Sequence, residues 1–290
     1  MYYGKHRTIF IIRQAAKRFS EERGTEAAAS LAYYAVFSLF PLLLVLIVIG
    51  SKVIESQAAQ EQILNWVARV IPFAGSFIEE NIRQVLVLRS SVGLIGTLSL
   101  AWGATSAFTT LARNINRAWK NTKEENFLLL KLKGLMVIAG LVAMISVLLV
   151  VNPVLGLFLA RISEIANIRF YLSLATNLAS WLLLWGVVTL LYFWIPNRKV
   201  NLKAAFFGGL FSGSMIEITT VVFTYFLSSG LARYNLVYGS LGVVMALVFW
   251  IYLLGTIILF GAHIASALDS IVSEGTVQGS NMNGNGRQAG

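Results

Sequence analysis

Residues Ala27–Gly50, AAASLAYYAVFSLFPLLLVLIVIG, contain no charged side chain. A helix of that length extends about 36 Å at roughly 1.5 Å per residue, long enough to cross a hydrocarbon core of about 30 Å with some tilt. The two halves of the stretch differ. Ala27–Phe40 mixes small and polar residues with Tyr33, Tyr34 and Ser38, whereas Leu42–Ile49 is uniformly aliphatic, and Pro41 lies between them. The first half reads as packed against other helices and the second as partly lipid-facing. Pro41 reads as a kink, because proline removes one backbone hydrogen bond from a helix.

The rest of the chain agrees. With 57% hydrophobic and only 12% charged residues, there is too little polar surface to cover a soluble globule. The expected fold class is all-α, a polytopic membrane protein of six transmembrane helices, with amphipathic surface helices in the first outer loop. The net charge of +10 points to basic connectors held on one side of a membrane, and not to a nucleic-acid partner. The chain has no cysteine, which excludes a disulfide framework and thiolate metal sites. No cofactor and no metal are expected.

Residues 1–26 are too charged for a signal peptide. Ile9, Ile12, Ala16 and Phe19 recur at helical spacing, opposed by Lys5, Arg13, Lys17 and Arg18, a pattern suited to an amphipathic helix on anionic headgroups at the cytoplasmic face. The membrane domain spans 27–268, with spans expected at about 27–50, 92–119, 134–160, 172–195, 204–227 and 240–268. Residues 51–91 carry two helical patterns around Pro72 and Gly75, with too many charges to span, and are expected to cap the bundle outside; a re-entrant hairpin is the alternative. Residues 269–290, with Gly, Asn, Ser and Gln dominant from Gly275, are expected to form a disordered cytoplasmic tail.

Small residues mark helix contacts. Ser99, Gly103 and Ala107 lie four apart in the second span, Gly209 and Gly213 form a GxxxG pair in the fifth, and Gly239 and Gly242 open the sixth. Asn152 and Pro153 place a polar side chain beside a second kink in the third. Sixteen Lys and Arg fall in the N-terminal segment, the second-to-third and fourth-to-fifth loops and the tail, against seven in the opposite loops. Both termini are therefore expected in the cytoplasm.

No Walker loop, dinucleotide fingerprint or HExxH is present, so energy coupling by an intrinsic ATPase is excluded and the chain is expected not to be an enzyme. Glu217 is the one acidic residue near the middle of a span, and an intramembrane carboxylate is a functional candidate because burying its charge is costly. Together with Tyr33, Tyr34, Ser38, Asn152 and Tyr225 it forms a candidate transport path through apolar helices, two of them interrupted at Pro41 and Pro153. The expected function is thus a transporter or exporter-like protein for a lipid or small solute. A non-transporting scaffold that binds envelope protein partners is the alternative. A remote third is intramembrane proteolysis by Ser212 and His263, which lie at similar depths.

LAYYAVFSLFPLL in the first span, YFWIPN closing the fourth, Gly208-Gly209, and above all YGSLGVVMALVFWIYLLGTIILFGAHI resemble the YihY/BrkB family of bacterial inner-membrane proteins. The resemblance covers most of the chain and implies six spans in a bacterial plasma membrane, with transport or export often supposed. An old ribonuclease label attached to that family has no counterpart in a metal-binding carboxylate cluster or histidine pair of this sequence. His263 is a departure, since family members often carry an acidic or amide residue there.

Overall fold

The structure, a computed structural model, describes residues 2–50, parts of 99–136, residues 168–229 and residues 240–285. The expected outer cap and third span, with Asn152 and Pro153, and Gly239 lie outside the described residues. Every described element is helical: α1 (Tyr2–Glu21), α2 (Gly24–Gly50), α3 (105–117), α4 (128–134), α5 (Ile168–Trp194), α6 (Leu202–Ser228) and α7 (Ser240–Asn285). Among the described residues, two segments are long and apolar enough to cross a membrane, Leu202–Ser228 and Leu241–Val272, and Trp181–Trp194 is a shorter apolar helix. Helix α2 continues through Pro41 to Gly50.

The organising element is α7. Helices α1, α2 and α6 all pack on it, and α5 packs on α6. Seven consecutive residues, Gly261–Ala267, are buried, two full turns covered on every side, as expected for a helix apolar all round. One face meets α2, where Gly255 lies 3.2 Å from Leu31 and 3.5 Å from Ala28, measured from the Cβ it lacks. The opposite side carries a second cluster, Ile11 and Ala15 of α1 with Ile264 and Ala267. The main core gathers Ala28, Ala112, Ile115, Val188, Tyr192 and Ala262 from four helices.

Helix α1 differs from the expected stripe. Ile9 and Ile12 are exposed, as a lipid-facing side requires, but Phe19 turns inward and stacks edge-on against Phe260 and His263, with ring centroids 5.7 and 5.9 Å away. The reason is a second apolar face: Ile11, Ala15 and Phe19 follow at four-residue spacing and dock α1 onto α7. Arg23, with φ of 53°, reverses the backbone locally, and Gly24 admits the Phe19 ring against the start of α2. At the other end of the chain α7 runs on to Asn285, past Gly275, where composition led to an expectation of disorder. Extending a formed helix costs far less than nucleating one.

The basic connectors meet at one end of the bundle. The Asn197 N–H donates to Asn116 Oδ1 at 2.9 Å, joining the α5–α6 loop to the end of α3. The Asn201 N–H donates to Asp269 Oδ1 at 2.9 Å, joining the same loop to α7. A cleft of about 240 Å3 between Glu21, Glu22, Arg23, Glu26 and Arg117 brings the α1–α2 turn to the same α3 terminus. Three segments assigned to one membrane side from their charge thus converge.

Candidate functional site

Helix α6 carries two small-residue faces, and each takes a different neighbour. Gly208 and Gly209 are adjacent in sequence and so about 100° apart around the axis. A Cβ on Gly208 would lie 2.6 Å from the Ala265 Cβ and 3.0 Å from the Gly261 carbonyl of α7. One on Gly209 would lie 2.8 Å from the Thr189 backbone N of α5, and one on Gly213 would overlap Trp185 of the same helix. The GxxxG pair therefore seats α5, while Gly208 and Ser212 seat α7. Such approaches are available only where no side chain intervenes.

Ser212 sits where the three helices cross. The Tyr192 hydroxyl donates to the Ile258 carbonyl at 2.6 Å and lies 2.7 Å from Ser212 Oγ. With that proton committed, the Ser212 hydroxyl supplies the one between them, and it is also 3.3 Å from the Ile257 carbonyl. Both side chains are fully buried, where an unmade hydrogen bond costs about 1–3 kcal/mol. Gly261 leaves the room: its missing Cβ would fall on Ser212 Oγ and 2.7 Å from the Tyr192 hydroxyl. Sequence reading missed this node, although a tyrosine inside a Leu- and Trp-rich run signals a hydroxyl in need of a partner.

The postulated Ser212–His263 dyad is not formed. Gly261 faces Ser212, and His263, two residues further, points about 200° away at 3.6 residues per turn. Its ring stands edge-on against Phe19 of α1, and its Nδ1 is buried with no hydrogen-bond partner among the described residues. Ser212 is bonded to Tyr192 instead.

At the basic end, Asp269 is nearly fully buried. Its second oxygen lies 3.4 Å from Arg198 Nη2, and the Asn201 it holds also caps α6, Asn201 Oδ1 accepting from the Lys203 N–H at 2.9 Å. The signal for Asp269 was an acid placed just after an apolar run, with Arg198 available in the basic α5–α6 loop.

The candidate path residues that are described lie on two helices. On α2, Tyr33 is exposed and Tyr34 and Ser38 are half-buried; the two tyrosine rings meet edge-on at 5.3 Å. The Ser38 hydroxyl donates to the Ala35 carbonyl at 2.8 Å, and Gly103 packs on Ser38, where a Cβ on the glycine would lie 3.1 Å from the Ser38 Cα. Ser99 and Ala107 of the same stripe are partly exposed, and Gly242 is buried. On α6, Glu217 is half-buried and Tyr225 exposed. Glu217 makes no hydrogen bond or ion pair among the described residues. It lies one four-residue step beyond Gly213, turned about 40° further around the axis, at the edge of the face that meets α5. That face holds further unpaired groups: Trp185 Nε1, Thr189 Oγ1 and Thr224 Oγ1 are buried with no hydrogen-bond partner among the described residues.

A family model described as virulence factor BrkB matches residues 15–284, from α1 to the end of α7. The chain belongs to the BrkB family. The protein of Bacillus subtilis (strain 168) named as the ribonuclease-like protein YfkH is 25% identical over 264 residues, which cover 89% of this chain and 94% of that one. A UPF0761 membrane protein of Haemophilus influenzae (strain 86-028NP) is 25% identical over 263 residues, 88% of this chain and 93% of that one. A UPF0761 membrane protein of Alcanivorax borkumensis is 24% identical over 264 residues, 90% of this chain but 59% of the longer relative. No solved structure matches the chain. This BrkB-family chain is a membrane protein, as its relatives are named, and its α6 and α7 supply spans of the required length.

Proposed function

We propose that this BrkB-family protein is a multi-pass plasma-membrane transporter or exporter-like protein for a lipid or small solute, without an ATPase or catalytic step of its own and with both termini in the cytoplasm. Glu217 carries the reading. It stands about 22 Å along α6 from Leu202 at roughly 1.5 Å per residue, and it has no hydrogen-bond or ion-pair partner among the described residues. Ser38 stands about 21 Å along α2 from Gly24 by the same measure, so polar groups of both helices share one depth. The carboxylates at the basic end are engaged differently: Asp269 faces Arg198, Glu26 faces Arg23 and Glu21 faces Lys17. In this reading they hold structure and hydrolyse nothing. Exposed Ile9 and Ile12, beside exposed Arg13 and Lys17, set α1 against anionic headgroups of the cytoplasmic leaflet.

Flux of labelled lipids and small solutes through proteoliposomes tests the proposal. A flux reduced by Glu217→Gln is expected. A flux that this change leaves intact, or none for any candidate, favours the second reading, a non-transporting scaffold for an envelope partner. The filled packing around Gly261–Ala267 is the observation on that side.

A further inference from the structure

We infer that the α5–α6 seam around Glu217 binds a cationic ammonium group, held by the carboxylate and by the indole faces of Trp181 and Trp185. The inference rests on the transport reading of Glu217 and names the class of substrate that such a path would carry.

The contacts define the register of the seam. Gly209 meets Thr189 and Gly213 meets Trp185, so four residues forward along α6 correspond to four residues back along α5, as in any antiparallel pair. One step further, Glu217 comes level with Trp181. The indoles of Trp181 and Trp185 lie 6.4 Å apart and are inclined by 47°, two walls on the α5 side. The seam changes character along its length. At Gly209 and Gly213 it is closed, with backbone and ring against glycine; at Glu217 the side chains are half-buried and Trp181 is 49% exposed, so the site is open to a ligand.

Unsatisfied groups then decide the chemistry. A carboxylate with no partner among the described residues, and on the same seam a buried Thr224 Oγ1 that also has none there, are an uncommon combination in an apolar segment, where buried polar groups are normally paired. An anionic ligand would meet the carboxylate's repulsion. An apolar one would leave the carboxylate unpaired. A compact inorganic cation would pair with the carboxylate but gain less from the rings. An ammonium group uses both features, because its charge pairs with the carboxylate and its hydrogens or methyls lie against aromatic faces. The amine can belong to a free solute or to a lipid headgroup, since both present the same chemistry.

The test uses the full chain in nanodiscs of phosphatidylglycerol, with binding of radiolabelled choline and ethanolamine measured by scintillation proximity. Saturable binding is expected, weakened at least about tenfold by Glu217→Gln, which removes the charge that pairs with the ammonium and, for ethanolamine, a charged hydrogen bond. Glu217→Asp should restore part of it. Trp181→Leu, at an exposed position that folding tolerates, should weaken binding about two- to thirtyfold, the range of a ring–cation contact. Phosphatidylethanolamine added to the nanodiscs would compete if the lipid headgroup is the source and would not if a free amine is. No saturable binding by the wild-type chain, binding indifferent to Glu217→Gln, or displacement of nothing but sodium would each overturn the inference. Flux of some other solute without ammonium binding would leave the transport reading standing and remove this site. Ammonium binding without flux would do the reverse.

Discussion

Replacing Gly261 by alanine puts a single methyl group at the crossing of α5, α6 and α7. Its Cβ would fall on Ser212 Oγ, 2.7 Å from the Tyr192 hydroxyl and 3.2 Å from Ser212 Cβ. Rotating Ser212 removes the first overlap but breaks its bond to Tyr192, worth about 0.5–1.5 kcal/mol. The other two contacts remain, so the helices must also separate, and overpacking of this kind costs about 1–3 kcal/mol. Against this, alanine is favoured over glycine inside a helix by about 0.8–1 kcal/mol. The net expectation is a loss of about 1–3 kcal/mol. Gly186, on α5, is the internal control, because a Cβ there meets nothing within 4 Å; its alanine variant should gain up to about 1 kcal/mol. Thermal unfolding in detergent, followed by circular dichroism, should therefore move the two variants in opposite directions. A cycle with Ser212→Ala sharpens the test. Removing that hydroxyl should cost less in the Gly261→Ala background, where its bond to Tyr192 is already lost. A Gly261→Ala protein as stable as Gly186→Ala, or a cycle that closes additively, would refute the proposed crossing.

Three further outcomes follow from the same contacts. Asp269→Ala removes the acceptor of the Asn201 N–H and the carboxylate that faces Arg198; because Arg198 is 36% exposed and can turn to water, we expect a loss of about 1–3 kcal/mol, and faster amide exchange at Asn201 by mass spectrometry. The chain lacks cysteine, so single cysteines at Glu22, Arg117 and Lys199 should all react with a membrane-impermeant maleimide from one and the same side; labelling from opposite sides would break the convergence of the basic connectors. Ala15→Leu, at a fully buried contact on α7, should destabilise by about 1–3 kcal/mol, whereas Ile9→Ser, on the exposed face, should leave the unfolding midpoint in detergent within about 0.5 kcal/mol of wild type.

How much was legible differs from helix to helix. The span expected at 204–227 appears as α6 from Leu202 to Ser228, opened by the Asn201 cap, because an apolar run between a capping residue and a polar loop leaves few other choices. Gly209 and Gly213 were legible as a helix-packing pair, and they do seat a neighbour. That the neighbour is α5, while the adjacent Gly208 seats α7, could not be read: both glycines are equally small, and their partners depend on how far each helix is turned about its axis. The central role belongs to α7 and not to the first apolar stretch, since α7 has partners on every side at Gly261–Ala267. His263 and Ser212 show the limit of depth arguments. They lie at comparable distances along their helices but on faces that never meet, and the serine's partner is a tyrosine from a third helix. Phe19 shows the same for α1, whose exposed stripe was visible in the pattern while its docked face was hidden among similar apolar residues.

Hydropathy and charge act residue by residue. Each apolar side chain gains by leaving water and each Lys or Arg resists crossing lipid, wherever its neighbours are. Sums over the chain therefore sufficed for its helical class, its membrane setting and the grouping of basic connectors at one end. Packing is a property of pairs. Whether Gly261 meets Ser212, whether Asp269 reaches Asn201, and whether Glu217 is level with Trp181 depend on the mutual rotation and register of helices distant in sequence, and these exist only once the chain has closed upon α7.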